Sequence, residues 1–141
     1  MKFTKMHGCG NDYVYVNCFE ETVEDRPALA RLVSDRHFGV GGDGLICICP
    51  SEKADFKMDM YNADGSVGQM CGNGIRCVAK YVYERGMTKK SVIDVETGAG
   101  VKTLWMNTEN GVVESVRVCM GSPEFKAKNV PVLTESEVFI N

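Results

Sequence analysis

The chain has 141 residues, 44% hydrophobic and 25% charged, with a formal net charge of −3 and a pI near 5.4. That length suits one core rather than two, and the composition is that of an ordinary soluble domain, without the concentrated Lys and Arg of a nucleic-acid binder. No apolar run approaches membrane-spanning length, and the two lysines of Met1–Met6 have no apolar stretch behind them, so neither a membrane span nor a signal peptide is expected.

In chain order, Lys2 to Met6 and Asp12 to Asn17 read as strands around a His7–Asn11 turn. Tyr13-Val14-Tyr15-Val16 is the β-branched and aromatic pattern that strands favour. Asp25 offers an N-cap with Pro27 in the first turn, and Leu29, Leu32 and Val33 share one face. A helix to about Arg36 follows, with Gly39 beyond it. Leu45 to Cys49 is a continuous apolar run, a buried strand. Asp55 to Tyr61 alternates, with Phe56, Met58 and Met60 on one side. Asn62 to Met70 reads as a loop. A second helix starts at Gly72, with Ile75, Val78, Ala79 and Val82 at helical spacing and Gly86 at the C′ position. Ser91–Glu96, Val101–Asn107 and Val112–Met120 read as strands, the last two joined by the hairpin signal Asn110-Gly111. The order ββαββαβββ, with consecutive strands and short turns, predicts an α+β domain with a mostly antiparallel or mixed sheet.

Gly39-Val40-Gly41-Gly42-Asp43-Gly44 matches the dinucleotide-binding pattern G-x-G-x-x-G. That fingerprint must follow a strand and open a helix, so that a pyrophosphate meets the helix N-terminus. Here the glycines follow a helix and enter a strand, which favours a tight turn with positive φ angles.

Seven cysteines, an odd number with no secretory signal, argue against a disulfide framework and for a reducing cytoplasm. Cys47 and Cys49 alternate along an apolar strand and read as core. Cys77 lies inside a helix, and Cys18 and Cys119 sit at strand ends. Cys9 is near His7, but two histidines and no Cys-x-x-Cys pair give no zinc spacing, and no metal is expected. Cys71 differs, because it stands immediately before the second helix in Gly68-Gln69-Met70-Cys71-Gly72-Asn73-Gly74. A helix N-terminus lowers a thiol pKa from about 8.5 toward neutrality, where a thiol can both accept and donate a proton. Gly72 and Gly74 let a ligand approach the backbone, whose free N–H groups would hold a carboxylate. A base and an anion site thus lie side by side; a structural cysteine in a helix-capping loop is the alternative reading.

The segment Tyr61-Asn62-Ala63-Asp64-Gly65-Ser66-Val67-Gly68-Gln69-Met70-Cys71-Gly72-Asn73-Gly74-Ile75-Arg76-Cys77 resembles the active-site signature of diaminopimelate epimerases. Phe3 to Tyr13, Arg36 to Gly44 and Met120 to Phe125 resemble other segments of that family's first lobe, so the resemblance covers essentially the whole chain. It implies two similar lobes, each a mixed, mostly antiparallel, barrel-like sheet around a central helix, here Gly72–Arg85. It implies interconversion of LL- and meso-diaminopimelate, in lysine and cell-wall precursor synthesis, with no pyridoxal phosphate, other cofactor or metal. Two cysteines on opposite faces of the α-carbon exchange the proton, and Cys71 matches one of them. The N–H groups of Gly72 and Asn73 match the site of the reacting carboxylate, and Asn11 and Asn62 match substrate-binding amides.

Two departures stand out. Many relatives carry Gln where this chain has Gly44. The family is about twice as long, and its second cysteine belongs to a later lobe, so this chain reads as a fragment that ends at Asn141 without that lobe. Alone it is expected not to epimerise, and its uncovered lobe–lobe face would favour self-association, a homodimer for example. Three further readings remain open at this stage. They are a related proline, hydroxyproline or phenazine-pathway isomerase, an inactive amino-acid-binding module, and a thiol-redox or metal protein.

Overall fold

The computed structural model describes residues 1–130; the expected end at Asn141 lies outside the described residues. Eight strands and two helices follow one another as β1 (Thr4–Gly8), β2 (Asn11–Asn17), α1 (Arg26–Ser34), β3 (Gly44–Cys49), β4 (Phe56–Asn62), β5 (Val67–Gly68), α2 (Gly72–Glu84), β6 (Val92–Thr97), β7 (Gly100–Glu109) and β8 (Val112–Val118). A single 3₁₀ turn, Ala127–Asn129, follows. The α+β class is as expected. No helix among the described residues is long and apolar enough to cross a membrane.

The sheet runs β1-β2-β3-β4-β6-β7-β8, with β5 paired to β4. Two neighbouring pairs are parallel, β2 with β3 and β4 with β6; the others are antiparallel. Each parallel pair is joined through a helix, as parallel pairing requires. The two pairs point in opposite directions, because β3 and β4 are antiparallel. Both crossovers also step the same way across the sheet. The right-handed rule for such crossovers then puts their helices on opposite faces.

The core confirms that division. Tyr13, Tyr15, Ile46, Ile48, Phe56, Met58 and Met60 pack with Ile75, Val78 and Val82 of α2. The alternate residues of the same strands, Val14, Val16, Leu45, Cys47 and Cys49, pack with Ala30 and Val33 of α1. Strands β2 and β3 are therefore covered on both sides and read as unbroken apolar runs. Helix α2 touches β1, β2, β7 and β8, which include both edge strands, so the sheet curls around it. The curl stays open rather than closing as a barrel, since β1 and β8 do not pair. Lys80 and Glu84 of α2 instead bond the main chain of β8 at Val113, each at 2.9 Å.

Several element limits differ from the sequence reading. The first turn is tighter than His7–Asn11: Gly8 pairs with Asn11, leaving Cys9 and Gly10 as the loop, both with positive φ (54° and 84°). Helix α1 stops at Ser34, where Asp35 turns its carboxylate onto the N–H groups of His37 and Phe38, each at 2.7 Å. The expected Asn62–Met70 loop contains the short strand β5. Helix α2 ends at Glu84, with Arg85 as its cap and Gly86 in the left-handed region (φ 70°). The N–H groups of Gly86 and Met87 bond the carbonyls of Tyr83 and Val82, a Schellman closure.

That closure separates two kinds of stabilisation. A Cβ on Gly86 would meet nothing within 4 Å, so Gly86→Ala should cost only the left-handed backbone penalty, about 1–2 kcal/mol. Ile75 is fully buried, and Ile75→Ala should cost about 2–5 kcal/mol. Urea unfolding of both variants checks the order; a larger loss for Gly86→Ala would contradict it.

Candidate functional site

One end of the sheet gathers the residues singled out from sequence. Tyr13 of β2 lies opposite Gly44 of β3, and Gly44 opposite Asn62 of β4. The starts of β2 and β3 and the end of β4 therefore share one rim. The chain leaves that rim at Asn62, makes the short β5, and returns to enter α2 at Cys71.

Cys71 is the N-cap of α2, with extended backbone (φ −129°, ψ 114°). Its sulfur accepts the N–H of Gly74 at 3.2 Å, and its carbonyl accepts the N–H of Ile75. The cap thus uses a thiol where Ser, Thr, Asp or Asn is usual. The N–H groups of Gly72 and Asn73 come before the first intrahelical acceptor, so helix geometry supplies them no partner. A Cβ at Gly74 would sit 2.6 Å from Cδ1 of Ile46, so a side chain there would have to displace that buried methyl between the cap and the core.

The thiol also donates to Oδ1 of Asn11 at 3.0 Å. Asn11 opens β2, and its Nδ2 donates to Oδ2 of Asp43 at 2.6 Å. Tyr13 and Tyr15 close the inner side. The Tyr15 hydroxyl donates to the carbonyl of Gly74 at 3.3 Å. Burial first, with the neighbouring thiol adding to it, pushes the Tyr13 phenol up to about 12. Burial raises Tyr15 further still. Both rings therefore keep their protons at neutral pH.

Cys71, Asn11, Gly72 and Asn73 are thus brought together. Asn73's side-chain oxygen accepts from Arg76, leaving its main chain facing the helix end, and its carbonyl lies against Gly8 of the hairpin. Asn62 shares the rim, but its amide donates to the Ser66 hydroxyl at 2.9 Å and makes no bond to Asn11 or Cys71. Among the glycines before β3, only Gly41 has the positive φ (79°) expected of the whole run. At Gly44 a Cβ would overlap the Tyr61 carbonyl and crowd the Tyr13 ring, so this chain has no room there for the Gln of many relatives.

Among the other thiols, Cys18 departs from its plain strand-end setting: contact with Cys47 first, and burial, push it up to about 11. Cys47, Cys49 and Cys77 are buried, and all seven cysteines are free. Cys9 is exposed beside Arg76 (3.6 Å), and His7 accepts the Gly10 N–H.

Asp12, Arg36 and Asp43 went unremarked in the sequence reading. The Arg36 guanidinium bonds Asp12 at 2.8 and 3.2 Å and Asp43 at 3.0 Å, and Lys5 pairs with Asp12 at 2.8 Å. The signal was the pattern of opposite charges flanking the glycine turn, which a turn reading absorbs without remainder.

The fold is shared with a hydroxyproline epimerase from Agrobacterium vitis, at a TM-score of 0.60 and 17% identity, over 82% of this chain and 39% of that one. That likeness defines the class of fold and no more. The sequence goes further: the family profile of diaminopimelate epimerase matches residues 3–126, and the chain belongs to that family. It is 60% identical over 139 residues to the diaminopimelate epimerase of Acetivibrio thermocellus, covering 99% of this chain and 50% of that protein. It is 62% identical over 133 residues to that of Agathobacter rectalis, covering 94% and 47%. The chain spans about half the length of the curated relatives it matches.

The charge network at the rim has a pH signature. Arg36 first and Lys5 second hold the Asp12 carboxyl well below its usual range. A carboxyl depressed on folding adds stability that is complete above its unfolded pKa of about 3.9 and is lost as pH falls toward the folded value. Asp12→Asn should therefore be less stable than the parent at pH 7, with the difference shrinking between about pH 4 and pH 2. Urea unfolding across that range measures it; a difference that grows on acidification would contradict the assignment.

Proposed function

We propose that this chain is the N-terminal lobe of a two-lobe epimerase that interconverts LL- and meso-diaminopimelate without a cofactor, and that Cys71 is one of its two proton-transferring thiols. The observation that carries the reading is the setting of Cys71. Its sulfur caps α2, takes one N–H bond from Gly74, and faces Asn11. The N–H groups of Gly72 and Asn73, one and two residues further on, have no acceptor among the described residues and lie at the positive end of the helix dipole. A substrate α-carboxylate bonded there would bring its α-carbon to the sulfur.

In the forward step the thiolate of one cysteine takes the α-proton, breaking the Cα–H bond and leaving a carbanion stabilised by the adjacent carboxylate. The thiol of the other cysteine gives its proton to the opposite face. One proton is removed and one is delivered, so the pair ends with its charges exchanged, and the reverse reaction swaps the roles. Asn11 and Asn62 would bind the substrate's polar groups, which suits an amide that both donates and accepts. Asn62 donates one N–H to Ser66 and keeps its second N–H and its carbonyl oxygen for that role.

The second thiol belongs, in this reading, to a C-terminal lobe that follows the described rim. Val67 and Met120 are exposed hydrophobics near α2's entrance, and the second lobe would cover them; without it this face would pair two copies of the chain. Seven free thiols suit a reducing cytoplasm. The proline- and hydroxyproline-directed alternatives share the fold at low identity, whereas identity of 60% and above favours diaminopimelate.

The experiment follows α-proton exchange of LL-diaminopimelate in D2O. The isolated chain should give no epimerisation, since one thiol cannot serve both faces of one carbon. Joined to the second half of the Acetivibrio thermocellus relative, it should exchange and epimerise, and Cys71→Ala in that protein should lose about 10²–10⁴-fold or more. Steady epimerisation by the isolated chain, or full activity of Cys71→Ala, would overturn the proposal.

A further inference from the structure

An asparagine side chain has two ends of nearly equal shape and opposite chemistry, so its neighbours decide which end faces where. At Asn11 that decision falls to Asp43. An ionised carboxylate only accepts hydrogen bonds. Its Oδ2 takes Nδ2 of Asn11 at 2.6 Å and the main-chain N–H of Asp12 at 3.1 Å, and its Oδ1 takes Arg36 at 3.0 Å. The N–H of Asp43 in turn donates to the Asp12 carbonyl at 2.6 Å. Three donors on its two oxygens hold the half-exposed Asp43 carboxylate toward Asn11, and the NH₂ of Asn11 points at it. The carbonyl oxygen of Asn11 is then the end that faces the Cys71 sulfur, 3.0 Å away.

A carbonyl oxygen beside sulfur accepts an S–H and repels a thiolate. A flipped amide would do the reverse and donate to the thiolate. Which of the two Cys71 meets is therefore set two residues away from it in space, through a chain of contacts Arg36–Asp43–Asn11–Cys71.

We infer that Asp43 is a positioning residue which, by fixing the orientation of the Asn11 amide, keeps the Asn11 carbonyl toward Cys71 as the acceptor of its S–H. This rests on the reading of Cys71 as a proton-transferring thiol. The helix end and the Gly74 N–H favour negative charge on the sulfur, and the Asn11 carbonyl opposes it. The balance gives one residue the capacity to act as acid and as base, and Asp43 sets its tilt.

Several titratable groups face Cys71, and the Tyr13 hydroxyl is itself in contact with both Cys71 and Asn11. From β2 they are Tyr13, held at about 12 chiefly by burial, and Tyr15, raised further. From α2 they are Cys77, which burial pushes up, and Arg76, a cation throughout. Beyond Asn11 stand Asp43, Asp12, Lys5 and Arg36, joined to one another as ion pairs.

The test is the pH dependence of Cys71 alkylation by iodoacetamide in the full chain, read by peptide mass spectrometry, with exposed Cys9 and Cys119 as internal references. In Asp43→Asn the new amide can face either way and no longer dictates Asn11. The pH of half-maximal alkylation at Cys71 should fall by about half a unit or more, as donation to the thiolate becomes available, while Cys9 and Cys119 stay put. Asp43→Ser, whose hydroxyl also donates or accepts, should do the same and serves if the first variant does not fold. Removing a charge could shift Cys71 directly, so the decisive comparison is made in Asn11→Ala. There Asp43→Asn should have no effect. An unshifted Asp43→Asn profile, or an equal shift in the Asn11→Ala background, would overturn the positioning role. A parent Cys71 indistinguishable from Cys119 and indifferent to diaminopimelate would instead overturn the functional reading on which it rests.

Discussion

The candidate site depends on how the first turn of α2 is satisfied. A helix that starts at the mouth of a curled sheet brings unpaired N–H groups into a partly buried rim, and each must find an acceptor or face a ligand. Here the sulfur of Cys71 takes one of them and leaves two. A hydroxyl or carboxylate cap would do the capping as well, but it would not leave a thiol at the same point. The close contacts around the cap follow from this arrangement. A side chain at Gly74 would press on Cδ1 of the buried Ile46, and Gly8 must be bare because the Asn73 carbonyl lies against it. The Tyr15 hydroxyl then anchors the turn from below.

The sheet supplies the rigidity behind that turn. Because its two parallel pairs run in opposite directions, one crossover helix lands on each face. Helix α1 covers the outside and α2 fills the inside of the curl. The inner helix is gripped by both edge strands, so its N-terminus is fixed relative to the start of β2, where Asn11 sits. The hairpin loop Cys9–Gly10, the glycine turn before β3 and the end of β4 all meet at the same rim. The proposed proton transfer needs reacting groups held close to their working geometry, which a rim made of strand ends and a buried helix start favours.

Much of this was legible in the sequence, and for identifiable reasons. Period-2 alternation in Phe56, Met58 and Met60 and helical spacing of Ile75, Val78 and Val82 are strong signals that the core faces repeat directly. Asn110-Gly111 and Gly86 announce a hairpin and a helix stop through positive φ, and the structure uses them so. The distinct position of Cys71 was also readable, because a thiol, two glycines and a helix start fall within four residues. The parallel pairing was not, since hairpin signals report on neighbours in sequence while β2–β3 and β4–β6 are joined across helices. Asp43 was hidden for a similar reason. An aspartate in a glycine-rich turn looks like a turn residue, and its partner Asn11 lies 32 positions away. Asn62 reaches the expected rim but spends its amide on Ser66, a local bond that no spacing argument foresees.

The central claim is that Cys71 faces a substrate site. Per-cysteine alkylation with and without diaminopimelate tests it most directly, first on this chain and then with the second lobe supplied. The account predicts that ligand protects Cys71 while exposed Cys9 and Cys119 react unchanged. Alkylation of Cys71 at the same rate with and without ligand, even in the two-lobe protein, would contradict it.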